Sequence, residues 1–551
     1  MSHIHLQKRR GFLKAAGCLV GSGAASTLVP QFSMLGTALA GTITTGYKAL
    51  VCIYFDGGGD SWNMLIPATQ DRHTEYVAAR GGLYQGNATA LGIPITGGGG
   101  TFLPNALPLL GTVGGNSYAL NPFCQDLANL GTPGTGAGGI GLQTLYNERK
   151  LAFIANIGPL VDPYRKTGNP AGTRRPPQLY SHNDQTNLWQ LGGGTTSTNP
   201  NGWGGRLAGN LIAGTPASGL SPCISIAGQS RFLSGNFESS GNPLNPYRLS
   251  DSTTSPATAL ANYATTGDTA NQGPARRAAL TSLLNATYPQ LFTTEYKDIV
   301  TRSMALADTI NAQITTNIPA TFQTALNLMP NTSLGRQLRQ VAQMIRISRA
   351  GQGTIQANRQ IFFVRIGGFD THDGQITSLT AAQGHHGLLQ QIGIAMHRFQ
   401  NCIEALNALP THTGVLNEVL TFTASDFART LNSNGNGTDH AWGGVQMVMG
   451  NPNNLGGPLL GQNIYGPYPR QTLNLTQNDA SPLPVQERGE SYNRGEFIPR
   501  VAVDQMAATL ARWMGASDSE IPLLFPNLDT MLAHSQASLL GFQSRTVPFL
   551  V

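Results

Sequence analysis

ALVCIYFDGGGD, residues 49–60, decides the fold. Seven apolar residues run without a polar interruption and stop on Asp56, which three glycines follow. A short apolar run bounded by turn residues reads as a buried strand. Its last residue stands where an open α/β sheet places its ligands, just beyond the carboxyl ends of the strands. Glycines at that point let the backbone approach a neighbour closely. The plainer reading of Asp56 is an Asp-Gly turn, which is common after a strand.

Three more stretches end the same way. IFFVRIGGFDTHDGQ (361–375) brings Asp370 and His372, VLTFTASDF (419–427) brings Asp426, and GTDHAWGG (437–444) brings Asp439 and His440. Asp370 and His372 lie two apart, so in an extended segment they point the same way, while Asp373 points oppositely. Carboxylate oxygen and neutral imidazole nitrogen hold zinc and similar divalent ions in hydrolytic sites. Strand ends that repeat these residues would converge on one crevice, which suggests a metal-dependent hydrolase. Each motif alone also reads as a polar turn. Arg429, in SDFART, would clamp an anionic oxygen or pair with Asp426.

QLYSHNDQTNLWQ (178–190) carries two compatible readings. Ser181 and Asp184 fit the S-x-x-D pattern of a helix capping box. A hydroxyl at a helix start also sits where backbone N–H groups favour an incoming phosphate or sulfate. A metal beside it would make Ser181 a nucleophile. His182 reads as a ligand, a base or filler.

Further strands are expected at 151–155 and 445–449, and helices at 296–314, 388–409 and 502–514 from their 3.6-residue periodicity. Strands separated by helices imply an α/β fold with a mostly parallel sheet covered on both faces. Leu389, Ile392, Ala395, Phe399 and Ile403 form the core stripe of the second helix, which Pro410 stops; His385, His386 and His397 read as surface or boundary residues. Gly/Thr/Asn-rich tracts at 92–115, 192–201, 234–273 and 451–491 lack periodicity and read as long surface loops of one domain spanning 41–551. Charged residues make up 11 % of the chain, against about 25 % in ordinary globular proteins.

The N-terminus reads as a leader. Arg9 and Arg10 precede Phe12, Leu13 and Lys14, an apolar stretch follows, and Ala38-Leu39-Ala40 fits a cleavage site. Twin-arginine export carries folded proteins, so a periplasmic or secreted location is expected. Removing residues 1–40 takes away four basic residues and no acid, and the net charge falls from +6 to +2. The basic character thus gives no case for nucleic-acid binding. No later apolar run is long enough to span a membrane. Cys52, Cys124, Cys223 and Cys402 remain, with no C-x-x-C. Cys52 reads as a core residue, and one bridge among the others stays open.

Taken together, the leader, the DGG after the first strand, SHNDQ, GGFDTHDGQ, SDFART…GTDHAWGG and the closing FIPRVAVDQMAATLARWMG…FPNL resemble the bacterial exported family catalogued as domain of unknown function 1501. The resemblance runs from about residue 47 to 530. It implies an alkaline-phosphatase-like three-layer α/β sandwich, in the alkaline-phosphatase/sulfatase-like superfamily, with metal at the strand ends. It further implies that Asp56, Asp370, His372, Asp439 and His440 match metal positions and Ser181 the nucleophile. No C-x-P-S-R is present, which argues against a formylglycine sulfatase.

The function expected is hydrolysis of phosphate or sulfate esters on small molecules or glycans. Ser181 would attack, Arg429 would clamp, and Asp56, Asp370, His372, Asp426, Asp439 and His440 would hold zinc, calcium or magnesium. The rival is a non-catalytic periplasmic or surface binding protein that retains a metal-site fold.

Overall fold

A computed structural model describes residues 46–96, 103–192, 201–211, 220–235, 246–257, 272–287, 291–349, 355, 357–376, 384–477 and 483–551. The leader read at 1–40 lies outside the described residues, as do parts of the tracts 92–115, 192–201, 234–273 and 451–491.

The run 49–55 becomes β1 (Lys48–Asp56), the middle of a nine-stranded sheet. Its alternate residues enter two different cores. Ala49, Val51, Ile53 and Phe55 pack into one, and Leu50, Cys52 and Tyr54 into the other. A strand covered on both faces needs apolar residues at every position, which is why the run is continuous.

A small antiparallel sheet of β2 (Leu65–Pro67), β3 (Leu107–Pro108) and β4 (Tyr118–Leu120) stands apart. The large sheet adds β5 (Leu151–Gly158), β6 (Cys223–Ser225), β7 (Tyr247–Arg248), β8 (Arg359–Gly367), β9 (Val419–Ser425), β10 (Gly444–Gly450), β11 (Ile464–Tyr465) and β12 (Val501–Ala502). Its order is β11-β5-β10-β9-β1-β8-β6-β7, with β12 also on β5. β1 pairs in parallel with both β8 and β9, and β6 with β8 and β7, whereas β10 runs antiparallel to β9 and β5. The sheet is therefore mostly parallel, and Asp56, Gly367 and Ser425 end neighbouring strands at one edge.

Helices Ser333–Arg349 and Gly384–Asn407 bury their stripes in the first core, while Trp203–Leu211 and Val503–Met514 do so in the second. The five-residue stripe read on the second helix is buried throughout. That helix starts four residues earlier than its periodicity suggests, and this corrects one expectation. His385 and His386 lie in its first turn at 1 % and 0 % exposure, and His397 at 8 %, so none of them is a surface residue. All four described cysteines are buried and free; Cys52 is core, and the bridge left open does not form among them. Among the described residues no helix is long and apolar enough to cross a membrane.

Candidate metal centre

The strand ends come together because glycine lets their backbones touch. Gly57 has φ +114°, and a Cβ there would lie 2.5 Å from the Asp370 nitrogen. Phe369 N donates to the Asp56 carbonyl at 3.2 Å, which locks the turn after β8 onto the end of β1. The GTDH loop then closes over that turn. Thr438 N donates to the Thr371 carbonyl at 3.1 Å, and a Cβ on Gly437 would meet the same oxygen at 2.1 Å.

Arg429 ties these segments from inside. It is fully buried, and it donates from Nε to Gly58 O (2.9 Å), from Nη1 to Thr438 O (2.9 Å) and from Nη2 to Gly57 O (2.6 Å) and Asp370 Oδ1. Its fork faces protein carbonyls and one site carboxylate, so its geometry holds Asp370 in place. Burial alone would raise the Asp370 carboxyl, but the Arg429 hydrogen bond and charge outweigh it and bring it down to about 2.

Three histidines face Asp370. His182 opens the helix His182–Leu191, and its Nδ1 is 2.7 Å from Asp426 Oδ2. His372 Nδ1 is 2.7 Å from Asp439 Oδ1, and His440 Nδ1 is 2.7 Å from the Tyr180 carbonyl. Each of those partners is an acceptor, so Nδ1 is the ring nitrogen that donates, and each ring turns its Nε2 inward. His440 and His372 bring Nε2 to 3.2 Å from Asp370 Oδ1, and His182 brings its own to 3.6 Å from Asp370 Oδ2. The Nε2 atoms of His372 and His440 are only 2.8 Å apart.

Lone pairs placed tip to tip repel unless a cation stands between them. Burial lowers the His440 pKa, which disfavours a proton on that ring. Around a tetrahedral zinc with ~2.1 Å bonds, ligand atoms lie roughly 3.4 Å apart, close to the spacings here. His182, Asp370 and His440 offer ligand atoms within 4.8 Å of one another. Metal-binding histidines ordinarily donate their second nitrogen to a carboxylate or carbonyl, and all three do so. The donor set fits a divalent metal.

The residues read from the sequence divide accordingly. Asp370, His372 and His440 meet at the centre. Asp426 and Asp439 stand behind histidines. Asp439 also accepts from Asn434 (3.0 Å) and pairs with Arg494, and against the raising effect of burial these hydrogen bonds bring its carboxyl to about 2. Asp56 pairs instead with Arg365, Oδ2 to Nη1 at 3.3 Å, and its pKa is raised by burial and by the Asp426 charge. Asp373 turns away to Asn436.

Ser181 is the N-cap of its helix, between Tyr180, which holds His440, and His182, which faces Asp370. Its hydroxyl makes no capping bond to the backbone and donates to Asp184 Oδ2 at 2.6 Å, so the S-x-x-D pair closes side chain to side chain. Sequence reasoning did not single out Tyr180, whose φ of +74° aims its carbonyl at the site, or Phe427, whose ring lies 4.8 Å from His182 and 4.3 Å from His440. A bulky residue at positive φ costs energy and tends to cluster at functional sites, but it is invisible in a one-dimensional pattern.

A mostly parallel α/β sheet with a histidine-carboxylate cluster at its strand ends is the class these observations define. The family described as Protein of unknown function (DUF1501) matches residues 244–482, and so supports the resemblance carried by the sequence blocks. That span includes Asp370, His372, Asp426, Arg429, Asp439 and His440, and leaves out Asp56, Ser181 and His182. No curated protein matches the chain.

Proposed function

We propose that the protein is an exported, metal-dependent hydrolase of phosphate or sulfate esters on an alkaline-phosphatase-like α/β sandwich. The observation that carries this reading is the convergence of three Nδ1-pinned histidines on Asp370. His182, Asp370 and His440, with His372 beside them, would hold the ion. A bound divalent cation supplies positive charge that polarises an ester oxygen and offsets developing negative charge.

The chain's own groups do the rest. Asp426, Asp439 and the Tyr180 carbonyl fix the ring orientations, and Arg429 fixes Asp370. Ser181 directs its hydroxyl proton at Asp184 Oδ2. As Oγ bonds to phosphorus or sulfur, the bond to the leaving oxygen breaks, that oxygen keeps the electron pair, and the Asp184 carboxylate receives the Oγ proton; water then displaces Oγ from phosphorus or sulfur, and the proton returns to Oγ. His182, His372 and Asp370 keep 35 %, 42 % and 49 % of their side-chain surface in solvent, which leaves the approach to the centre open. Export rests on the twin-arginine leader, and Lys at both Arg9 and Arg10 should leave precursor in the cytoplasm.

The test compares wild type, Ser181→Ala and Ser181→Asn by metal content and by turnover of aryl phosphates and sulfates. Full metal content with lost turnover in both variants supports the nucleophile. Retained turnover in Ser181→Ala removes Ser181 from the reaction. A wild type that binds metal stoichiometrically and hydrolyses nothing belongs to the binding-protein class.

A further inference from the structure

Beside the metal centre the sheet edge continues into a second space. The centre sits over the ends of β9, β1 and β8. A cleft of about 350 Å³ sits over the ends of β1, β8 and β6, where Asp56, Gly367, Ile226 and Ala227 leave their strands. Asp56 belongs to both places: it lines the cleft, and the charges of Asp426 and His182 act on it from the centre. The cleft therefore extends the metal site sideways along one crevice.

Its walls are polar. Asp56, Asp251, Ser333, Gln337 and Arg365 line it, and Ile226 is its one large apolar residue. The framework is braced: Gln337 Nε2 donates to Arg365 O (2.9 Å) and Ser333 Oγ (3.0 Å), and Arg365 N donates back to Gln337 Oε1 (2.9 Å). The charges are paired as well, Asp56 with Arg365 at 3.3 Å and Asp251 with Arg336 at 2.8 Å. The result is a nearly neutral surface that mixes carboxylate acceptors with hydroxyl and guanidinium donors.

That mixture selects one ligand chemistry. An alcohol hydroxyl both donates and accepts, so a group carrying several hydroxyls can satisfy both carboxylates and Ser333. A second anion would meet two carboxylates, and an aryl group would find no ring to stack on. The volume lies near the lower end of small-ligand sites and suits a group the size of one sugar ring.

We infer that this cleft seats the leaving group of the ester, and that the leaving group is a neutral, polyhydroxylated one, a sugar or polyol. The inference rests on the ester-hydrolase reading of the neighbouring centre and deepens it.

Two variants test it in the full-length, metal-loaded protein: Asp251→Leu, which removes an acceptor, and Ser333→Phe, which fills the cleft from an exposed position. The readout is the kcat/KM ratio of glucose 6-phosphate or glucose 6-sulfate to the matching 4-nitrophenyl ester. A fall of about tenfold or more in that ratio for both variants is expected. Equal losses on both substrates, or no change on either, overturns the inference. Should Asp251→Leu fail to fold, Ser333→Phe decides alone. If wild type turns over nothing, the hydrolase reading fails by itself, and the cleft is judged by calorimetric titration of glucose into the full-length protein. Binding weakened at least fivefold by both variants then supports a sugar site, and unchanged binding overturns it.

Discussion

Two groups of histidines, one at the strand ends and one in the buried first turn of the helix Gly384–Asn407, differ in what surrounds their rings. His182, His372 and His440 each have one nitrogen pinned by an acceptor and the other turned to a partly exposed carboxylate. His385 and His386 are buried, and neither ring nitrogen of His386 has a hydrogen-bond partner among the described residues. Phe123 stacks on His386 at 4.4 Å and 10°, and the charges that act on His385 are Asp60 and Arg80, a fully buried pair, and Arg429. The first group turns its second nitrogens toward one carboxylate, Asp370. The second is held neutral, and burial pushes its pKa values down to about 4 and about 3.

The largest expected effect breaks the buried side of this comparison. Arg80 donates two hydrogen bonds to Asp60, at 2.9 and 2.8 Å, in a site without solvent. Arg80→Met leaves a buried carboxylate with no opposite charge and only the Gln375 amide as a donor, and should cost about 3–5 kcal/mol in urea-unfolding stability. A loss under 1 kcal/mol would show that water reaches Asp60.

Acid should then act oppositely on the two groups. For His385 and His386 the folded pKa is depressed, so between the unfolded value of about 6.5 and their folded values only the unfolded chain takes up protons. Stability therefore falls as pH drops from about 6.5 towards 4, by on the order of 3 kcal/mol for each ring. Melting curves across that range should flatten in His386→Leu; an unchanged slope would show that the ring is not the source. The hydrogen bond that His182 donates to Asp426 raises the His182 pKa instead, so its contribution is present below the unfolded value and is lost as pH rises through the folded one. A proton on its inward nitrogen excludes a cation, and metal affinity should climb with pH across that folded value.

A smaller effect tests the acceptor directly. Asp439→Asn keeps the shape behind His372 but removes the charge, and should weaken metal binding about 10–100-fold without unfolding the protein. His440→Ala removes a ligand outright and should lower metal content by at least one ion per chain. If the two variants bind as well as wild type, the centre is not a metal site. The least effect should come from Ser181→Ala on stability, about 0.5–1.5 kcal/mol for the lost bond to Asp184, since no backbone cap is broken.

The sequence made the scaffold readable wherever burial imposes a period. The run at β1, the stripes of the helices 384–407 and 503–514, and the glycines after Asp56 all have local causes, and their places in the structure follow from them. The site was readable only in composition. Spacing brought Asp370, His372 and His440 forward, but could not say that Asp426 and Asp439 would meet imidazoles, or that Arg429 would spend its donors on carbonyls. Those choices depend on which loop lies behind which ring. His385 and His386 were misplaced for a related reason: glycine and histidine carry little helical periodicity, so the first turn of their helix is silent.

One feature of the sheet also governs how the protein can be made. In the central strand Lys48 pairs with Arg359 and Ala49 with Val419. At a synthesis rate of roughly 5–20 residues per second, β1 leaves the ribosome tens of seconds before either neighbour exists. Through that interval a nine-residue strand, apolar on both faces, has no native partner on either edge. Slow assembly of long-range parallel pairs exposes a chain to aggregation, so yield in a cell should depend on chaperone supply and growth temperature more steeply than the finished protein's stability would suggest.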